Sequence, residues 1–449
     1  MAIFIGQTRF SLYIPNNAGW RLTGEESGLA DSDYRARLYD DSRLSFRTEV
    51  FCELSIPQIA AAKGEHEVFH VATLSESLPE KYKKRLIETA KQYPFLILDE
   101  VPDNSFGSIS TYFRKYVSQG RVFGSYRLDD DDILGIRYFD QMSQYIDERF
   151  VGMTVSLPLG VEAIYQGGYF SNFRNAHVPM HSMGLMHVCR HVGGGGTDGP
   201  VAGPHDLSDR YAPVIIDARV LGFLRINHLG QDNIMRFSPD KVEAQIVRSL
   251  ETCSPTIDPD LLDQNFPVFS SRVFSADIET VVSLNAKIDG ECFFLLDKAT
   301  SSLTVKFVFE HPSRDSKTDY VISYLLKDRS GRIISPTRRV DGIGTSKNPY
   351  IGQFQYLIFP KNRTESITSI HFPNGVRIAG FKILRINATS EEIYFQTVSA
   401  FGAVGQLRDS NKDEFLSLLG RRYGAFPRVA HKMKQLAKGI LGRVRETLR

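Results

Sequence analysis

The run Tyr126-Arg127-Leu128-Asp129-Asp130-Asp131-Asp132 sets four carboxylates directly behind a short apolar segment. Carboxylate oxygens are hard ligands that suit Mg²⁺ or Mn²⁺. Such an ion stabilises charge developing on a leaving pyrophosphate without needing a proton. Two residues at i and i+2 just past a strand end face one side together. Asp129 and Asp131 have that spacing and are the expected metal ligands. Asp130 and Asp132 alternate with them and suit ribose contacts or helix capping. Arg127 can neutralise part of the cluster or touch a phosphate. The competing reading is a solvated acidic turn capping a helix that begins near Ile133, because a bare D-x-D has little specificity.

The elements that would position this run follow a βα rhythm over residues 1–256. Arg9 to Ile14 reads as a first strand, stopped by the turn cluster Pro15-Asn16-Asn17. Ser42 to Ala62 has helical spacing with a late kink expected at Pro57. Strands are predicted at Glu67 to Ala72, Phe95 to Leu98 and Arg121 to Leu128, and helices at Leu78 to Tyr93 and Ser108 to Ser118. Repeated units of this length predict a mainly parallel sheet with helices on both faces, an α/β Rossmann-like domain. Ligands in such sheets bind beyond the carboxyl ends of the strands, where the aspartates fall.

Residues 257–405 differ. Strand-like segments separated by turns such as Asp289-Gly290 and Pro373-Asn-Gly375 predict a β-sandwich or jelly roll. Residues 406–449 form a helical tail. From Pro427, the apolar residues Val429, Met433, Leu436, Ile440, Val444 and Leu448 recur at steps of three or four between arginines and lysines. This basic amphipathic helix is either an in-plane anchor on anionic lipid or a helix docked on its own domain.

With 449 residues, 42% hydrophobic and 24% charged, the chain has the composition of a folded protein with room for two cores. A formal net charge of +2 gives no polyanion signature, so nucleic acid is not an expected partner. Four dispersed cysteines without C-x-x-C spacing, and an N-terminus without a signal-peptide pattern, predict a cytoplasmic setting. The basic helix would allow a peripheral place at the inner face of the cytoplasmic membrane. Asn362-Arg-Thr and Asn387-Ala-Thr match the glycosylation pattern by chance under that reading.

Thr8-Arg9-Phe10, the segment Arg43 to Ile59 with Arg47-x-x-x-Phe51 and Ser55-Ile56-Pro57-Gln58, and Arg127-Leu128-Asp129-Asp130-Asp131-Asp132 together resemble a bacterial family of rhamnosyltransferases. The resemblance covers about the first 240 residues. It implies a GT-A-type glycosyltransferase, a nucleotide-sugar donor and a Mn²⁺ or Mg²⁺ ion. The family label names rhamnose, hence dTDP-rhamnose as a donor, without fixing it. It also implies that Arg9 and Arg47 lie near the donor's nucleotide or pyrophosphate, with Arg127, Asp129 and Asp130. His228, in Phe223-Leu-Arg-Ile-Asn-His-Leu-Gly230, resembles the late histidine that such enzymes use as a further metal ligand beside Asp129 and Asp131. The acceptor would be a bacterial surface polysaccharide or glycolipid.

Six of the eleven histidines lie between His177 and His228, around the glycine-rich stretch 193–203. That stretch has no following Gly-Lys-Ser/Thr and reads as a mobile loop over donor or acceptor. His187-x-Cys189-x-His191 has no second pair with zinc spacing. An inverting enzyme needs a general base, for which Asp206, Asp209 and Glu162 are the candidates. Two other classes stay open. One is a non-catalytic glycan-binding or assembly protein, marked by an incomplete donor pocket. The other is a nucleotidyltransferase, which usually carries a glycine-rich phosphate segment near its first strand.

Overall fold

The computed structural model describes residues 1–15, 31–194, 196–201, 203–231, 239–288, 290–373, 375–387 and 389–419. The chain divides into two compact units, Met1–Ser275 and Ala276–Arg449. The amphipathic helix expected from Pro427 lies outside the described residues.

The first unit opens with β1 (Ile3–Arg9), α1 (Asp31–Leu38), α2 (Asp41–Glu49) and α3 (Ile56–Ala62). It continues through β2 (Glu67–Ser75), α4 (Glu80–Gln92), β3 (Leu96–Val101), α5 (Ile109–Tyr116), β4 (Val122–Arg127), β5 (Asp132–Leu134) and α6 (Tyr138–Ser143). Then come β6 (Thr154–Ser156), β7 (Leu159–Gln166), β8 (Tyr169–His177), β9 (Met186–Gly193), β10 (Gly196–Asp198), β11 (Val214–Ile216) and β12 (Leu221–Asn227). It closes with α7 (Pro239–Leu250), β13 (Ser254–Pro255), α8 (Pro259–Asn265) and α9 (Pro267–Val273).

The main sheet runs β11–β6–β9–β4–β1–β2–β3, with β10 paired to β9. β3, β2, β1 and β4 are parallel, as the βα rhythm predicts, and helices cover both faces. The sheet as a whole is mixed, because β9 runs antiparallel to both β4 and β6. Alternate residues of β1 explain the two faces. Phe4 joins Phe10, Leu44, Phe51 and Phe139 in the larger core. Ile3 and Ile5 face Phe113, Val117 and Phe123 on the α5 side. Each such side chain taken fully out of water contributes roughly 1.5–3 kcal/mol. A second sheet, β13–β8–β7–β12–β5, carries the segments that return to the aspartates.

Four expectations change here. The first strand is Ile3–Arg9, whereas Phe10 to Ile14 is buried outside the ladder, and Ser11 (φ 46°) leaves the extended path. Ser42 to Ala62 is two α-helices joined by a π-helical turn, Val50–Ser55, in which the Ile56 amide bonds the Phe51 carbonyl. Pro57 stands at the start of α3, so the chain meets its missing N–H with a change of helix type. The segment at Ile133 is the strand β5, paired antiparallel with β12, and no helix starts there. The first unit also extends past Thr256 to Ser275. α8 and α9 belong to it because Gln58 bonds both the Asn265 carbonyl and the Val268 amide.

The second unit holds β14 (Glu279–Lys287), β15 (Glu291–Thr300), β16 (Ser302–Phe309), β17 (Ser316–Lys327), β18 (Gly344–Thr345) and β19 (Gln353–Phe359). β20 (Glu365–His371), β21 (Arg377–Arg385), β22 (Tyr394–Phe401), β23 (Leu407–Ser410) and α10 (Lys412–Leu419) complete it. Its two sheets, β14–β22–β16–β20 and β18–β19–β17–β21–β15–β23, are antiparallel throughout. One apolar cluster takes residues from both, including Phe294, Phe307, Tyr320, Phe359, Phe381 and Phe395.

Candidate functional site

At the carboxyl ends of β1 and β4 the first unit has a cavity of about 1010 Å³. Asp129, Asp130, Asp131 and Asp132 line it, together with Arg9, Arg43, Arg47, Arg127 and Arg225. The run lies in the turn between β4 and β5. The Leu128 amide bonds the Gln7 carbonyl (3.0 Å), and the Arg127 carbonyl accepts from Gly184 N–H (2.8 Å). Gly184, in the segment before β9, has φ +82°, and a Cβ there would stand 2.8 Å from Leu134 and Tyr138, so this segment can approach only with glycine.

α2 supplies the counter-charges. Asp40 caps it by accepting from the Ser42 and Arg43 amides. Arg43 and Arg47, one helical turn apart, then project from its buried face. Arg47 pairs with Asp130 and, through Nη2, with Asp131 at 3.0 Å. Arg43 donates to Ser11 Oγ (2.9 Å), and Ser11 donates to Asp130 Oδ2 (3.2 Å). Arg43, Arg47, Asp130 and Asp131 are all under 10% exposed, so these pairs hold in low dielectric.

His228 follows β12. The pairing of β12 with β5 sets Arg225 against Asp132 and carries His228 to Asp131, Nε2 to Oδ2, at 3.0 Å. Burial pushes the Asp131 carboxyl upward, but the Arg47 charge and the His228 hydrogen bond outweigh it and hold it below the ordinary range. Burial pushes the Asp132 carboxyl well up, reinforced by the charges of Asp131 and Asp129. Burial also lowers His228, with partial opposition from Asp131, which keeps its imidazole neutral.

Asp129 is placed apart from that pair. Its carboxylate takes Arg127 Nη2 at 2.8 Å and Ser182 Oγ at 3.2 Å. Among the described residues no three His, Cys, Asp or Glu side chains are gathered to hold a metal ion. The structure therefore brings Asp131 and His228 together, and leaves Asp129 on a different contact from the expected trio. Arg9 reaches the cavity from β1 with its guanidinium 4.9 Å from the Phe106 ring centre. Burial and the neighbouring Arg127 lower its pKa to about 10.

The base candidates separate. Asp206 lines the cavity on a 3₁₀ turn, His205–Arg210, that is tied down by His205 Nδ1 donating to the Met180 carbonyl (2.9 Å). Asp209 is exposed on the same turn and is not among the lining residues. Glu162 is buried and accepts from Asn227 Nδ2 at 3.0 Å, a contact that ties β7 to β12. Of the zinc-like triplet, His187 lines the cavity, His191 donates to the Val117 carbonyl, and burial lifts the Cys189 thiol to about 12. Within the glycine-rich stretch, Gly193 ends β9 and Gly196–Asp198 form β10, which pairs antiparallel with β9. Arg43, Ser11, Ser182 and Arg225 are site residues beyond those expected. Only Arg43 had a local signal, its spacing of four from Arg47 on one helix.

Acidic groups and arginines face one cavity at the carboxyl ends of parallel strands, the place where α/β proteins bind ligands. The family model described as "Putative rhamnosyl transferase" matches residues 4–231, and the chain belongs to that glycosyltransferase family. No curated protein matches the chain. Among solved structures, S. aureus TarS 1-349 in complex with UDP-GlcNAc is similar at 10% identity, over 56% of this chain and 66% of that one, with a TM-score of 0.27. The inositol-1-phosphate CTP transferase from T. maritima is similar at 9% identity, over 54% and 94%, with a TM-score of 0.23. The chain thus spans about two thirds of the TarS fragment, and at these scores the likenesses add nothing to the family match.

Proposed function

We propose that the first unit is a GT-A-type catalytic domain that transfers a sugar from a nucleotide-sugar donor with the help of a divalent metal ion. The observation that carries this reading is the Asp131–His228 pair in an arginine-lined cavity. Asp131 and His228, 3.0 Å apart, are the residues that would hold Mg²⁺ or Mn²⁺. Mg²⁺ commonly takes one or two protein carboxylates and completes its shell with water and substrate phosphate, so a gathered trio is not required. The ion would supply charge stabilisation for the departing diphosphate.

The other roles follow from placement. Arg47 neutralises Asp130 and Asp131 and keeps Asp131 ionised. Arg9 and Arg127 present guanidinium groups to the donor's phosphates, and Asp129 at the rim suits a ribose hydroxyl. Asp206 is the base candidate that faces the cavity. We read the second unit as a β-sandwich that holds a saccharide or glycolipid acceptor, an assignment by analogy alone. Among the described residues no helix is long and apolar enough to cross a membrane. dTDP-rhamnose is the donor to try first, since the family's description names that sugar.

The test is a hydrolysis screen of UDP-, GDP- and dTDP-sugars with a Mn²⁺ titration. We expect one nucleotide class to turn over with the ion, and Asp131→Ala to lose at least roughly 100-fold in kcat. Binding indifferent both to Mn²⁺ and to Asp131→Ala would remove the site assignment. A nucleotide sugar bound firmly but never turned over would favour the glycan-assembly reading.

A further inference from the structure

We infer that Tyr126, His70 and Thr8 form a buried, one-directional hydrogen-bond relay that positions the aspartate run by fixing the Leu128 carbonyl. Its consequence for catalysis rests on the proposed function; its existence does not.

β1 lies between β2 and β4, and one residue from each strand contributes. Thr8 and His70 are fully buried and Tyr126 is 2% exposed, beside the apolar Phe10 and Phe51. Polar groups in such a place are costly unless every donor and acceptor is matched. Here the matching admits one solution. Thr8 Oγ1 lies 2.7 Å from the Leu128 carbonyl, which can only accept, so the single hydroxyl hydrogen is committed there. His70 Nε2 lies 2.9 Å from the same Oγ1 and must be the donor. Nδ1 of a neutral ring is then the acceptor for the Tyr126 hydroxyl, also at 2.9 Å. Both partners are uncharged, and burial lowers the His70 pKa to about 3, so the ring is neutral. The order is Tyr126 O–H to Nδ1, Nε2–H to Thr8, and Thr8 O–H to the Leu128 carbonyl.

Glycine at position 6 has its explanation in this relay. Glycine weakens a central strand. A Cβ on Gly6 would fall 2.3 Å from Tyr126 Cζ and 2.5 Å from His70 Nδ1, so only glycine leaves space for the two rings to meet. The relay ends on the peptide that joins Leu128 to Asp129. That peptide's other neighbour, the Leu128 amide, is held by the Gln7 carbonyl. Both polar groups of Leu128 are thus fixed by β1, and the direction in which Asp129 leaves β4 is set by contacts that touch no ligand. His70, Thr8 and Tyr126 are positioning residues.

The test uses the full chain. Nitrogen-15 histidine NMR should show His70 as the neutral Nε2–H tautomer between about pH 5 and 8. An Nδ1–H or charged ring overturns the relay, whatever the enzyme does. Thr8→Val removes the hydroxyl at nearly constant shape, and Thr8→Ser keeps it. The Asp132 amide, bonded to the Asp129 carbonyl at 3.4 Å, should exchange faster in Thr8→Val and as in wild type in Thr8→Ser. Transfer by Thr8→Val should lose roughly tenfold in kcat, with KM for the nucleotide sugar moving less than about threefold, and serine should restore it. A folded Thr8→Val with wild-type exchange at Asp132 overturns the positioning role. Should valine prevent folding, Thr8→Ala removes the same hydroxyl from the Leu128 carbonyl and gives the same readouts. A wild-type chain inactive on every nucleotide sugar removes the proposed function, while NMR and exchange still decide the relay.

Discussion

Arg47→Met is the sharpest perturbation of the site, because methionine keeps much of the side-chain volume and removes only the charge and its donors. Arg47 is 5% exposed and pairs with Asp130 (2%) and Asp131 (8%). Removing one partner of a buried pair leaves an uncompensated charge and costs about 3–5 kcal/mol. His228 and Ser11 still reach the two carboxylates, so the lower end applies. For a unit of this size each kcal/mol lowers the melting temperature by about 2–4 °C, giving a fall of roughly 10 °C. The assay is calorimetry of the full chain, followed at the transition of the first unit. Two controls locate the cause. Arg47→Met with Asp130→Asn should regain about half of the loss, since one of the two stranded charges is gone. Mn²⁺ should raise the melting temperature of Arg47→Met more than that of wild type, since the ion then supplies the missing counter-charge. A fall of less than about 2 °C, or a double variant no more stable than the single, refutes the reasoning.

Two further outcomes concern the scaffold. Gly6→Ala should destabilise the first unit by about 3 kcal/mol through the overlap with Tyr126 and His70, read as a lower urea midpoint at constant slope; an unchanged midpoint would mean that the rings separate freely. In the second unit, the Lys382 ammonium donates to the Tyr350 carbonyl at 2.5 Å and lies 3.7 Å from that ring. Burial, opposed by Glu291 and helped by Lys412, lowers its pKa from 10.5 to about 8. The unfolded state therefore holds the proton more tightly, so stability is lowest below about pH 8 and rises toward about pH 10.5, by roughly 3 kcal/mol. Lys382→Met should flatten that rise in denaturant titrations compared with wild type, and an equally steep rise in the variant would exclude Lys382 as its source.

The part of the site legible in the sequence is local. An apolar strand running into aspartates is a short-range pattern, and β4 with its turn stands where that pattern puts it. Arg127, next to the run, followed with it. The relay was not legible, because Thr8 and His70 are 62 residues apart and each looks ordinary by itself. It also misled the reading of β1. Gly6 and Gln7 interrupt the β-branched and aromatic residues of β1, so the aromatic stretch after Arg9 looked like the strand. Asp129 and Asp131 have the right period to face one way, but the turn of the chain after Leu128 separates them, one to Arg127 and Ser182, the other to Arg47 and His228. Spacing in sequence predicts a shared face only while the backbone stays extended. The resemblance, and not the local pattern, brought His228 into the site, since β5 and β12 pair across nearly a hundred residues.

Charge counting explains why so acidic a turn is buried at all. The cavity lining holds five guanidinium groups, Arg9, Arg43, Arg47, Arg127 and Arg225, against five carboxylates, Asp129, Asp130, Asp131, Asp132 and Asp206. Five minus five leaves no formal net charge, and the burial that pushes the Asp132 carboxyl toward its neutral form removes one negative charge from that count. A diphosphate entering alone would bring unbalanced negative charge into a low-dielectric site, and a divalent ion alone would bring unbalanced positive charge. Entering together they nearly cancel, so under the proposed function a balanced lining would favour the metal-bound form of the donor. The ion pairs around Arg47 keep Asp131 ionised and aimed. The relay beneath Leu128 does the same for the backbone. Side-chain charge and main-chain direction are fixed by separate sets of contacts, so Arg47→Met and Thr8→Val should fail in different ways: the first through stability, and the second through turnover in a protein that stays folded.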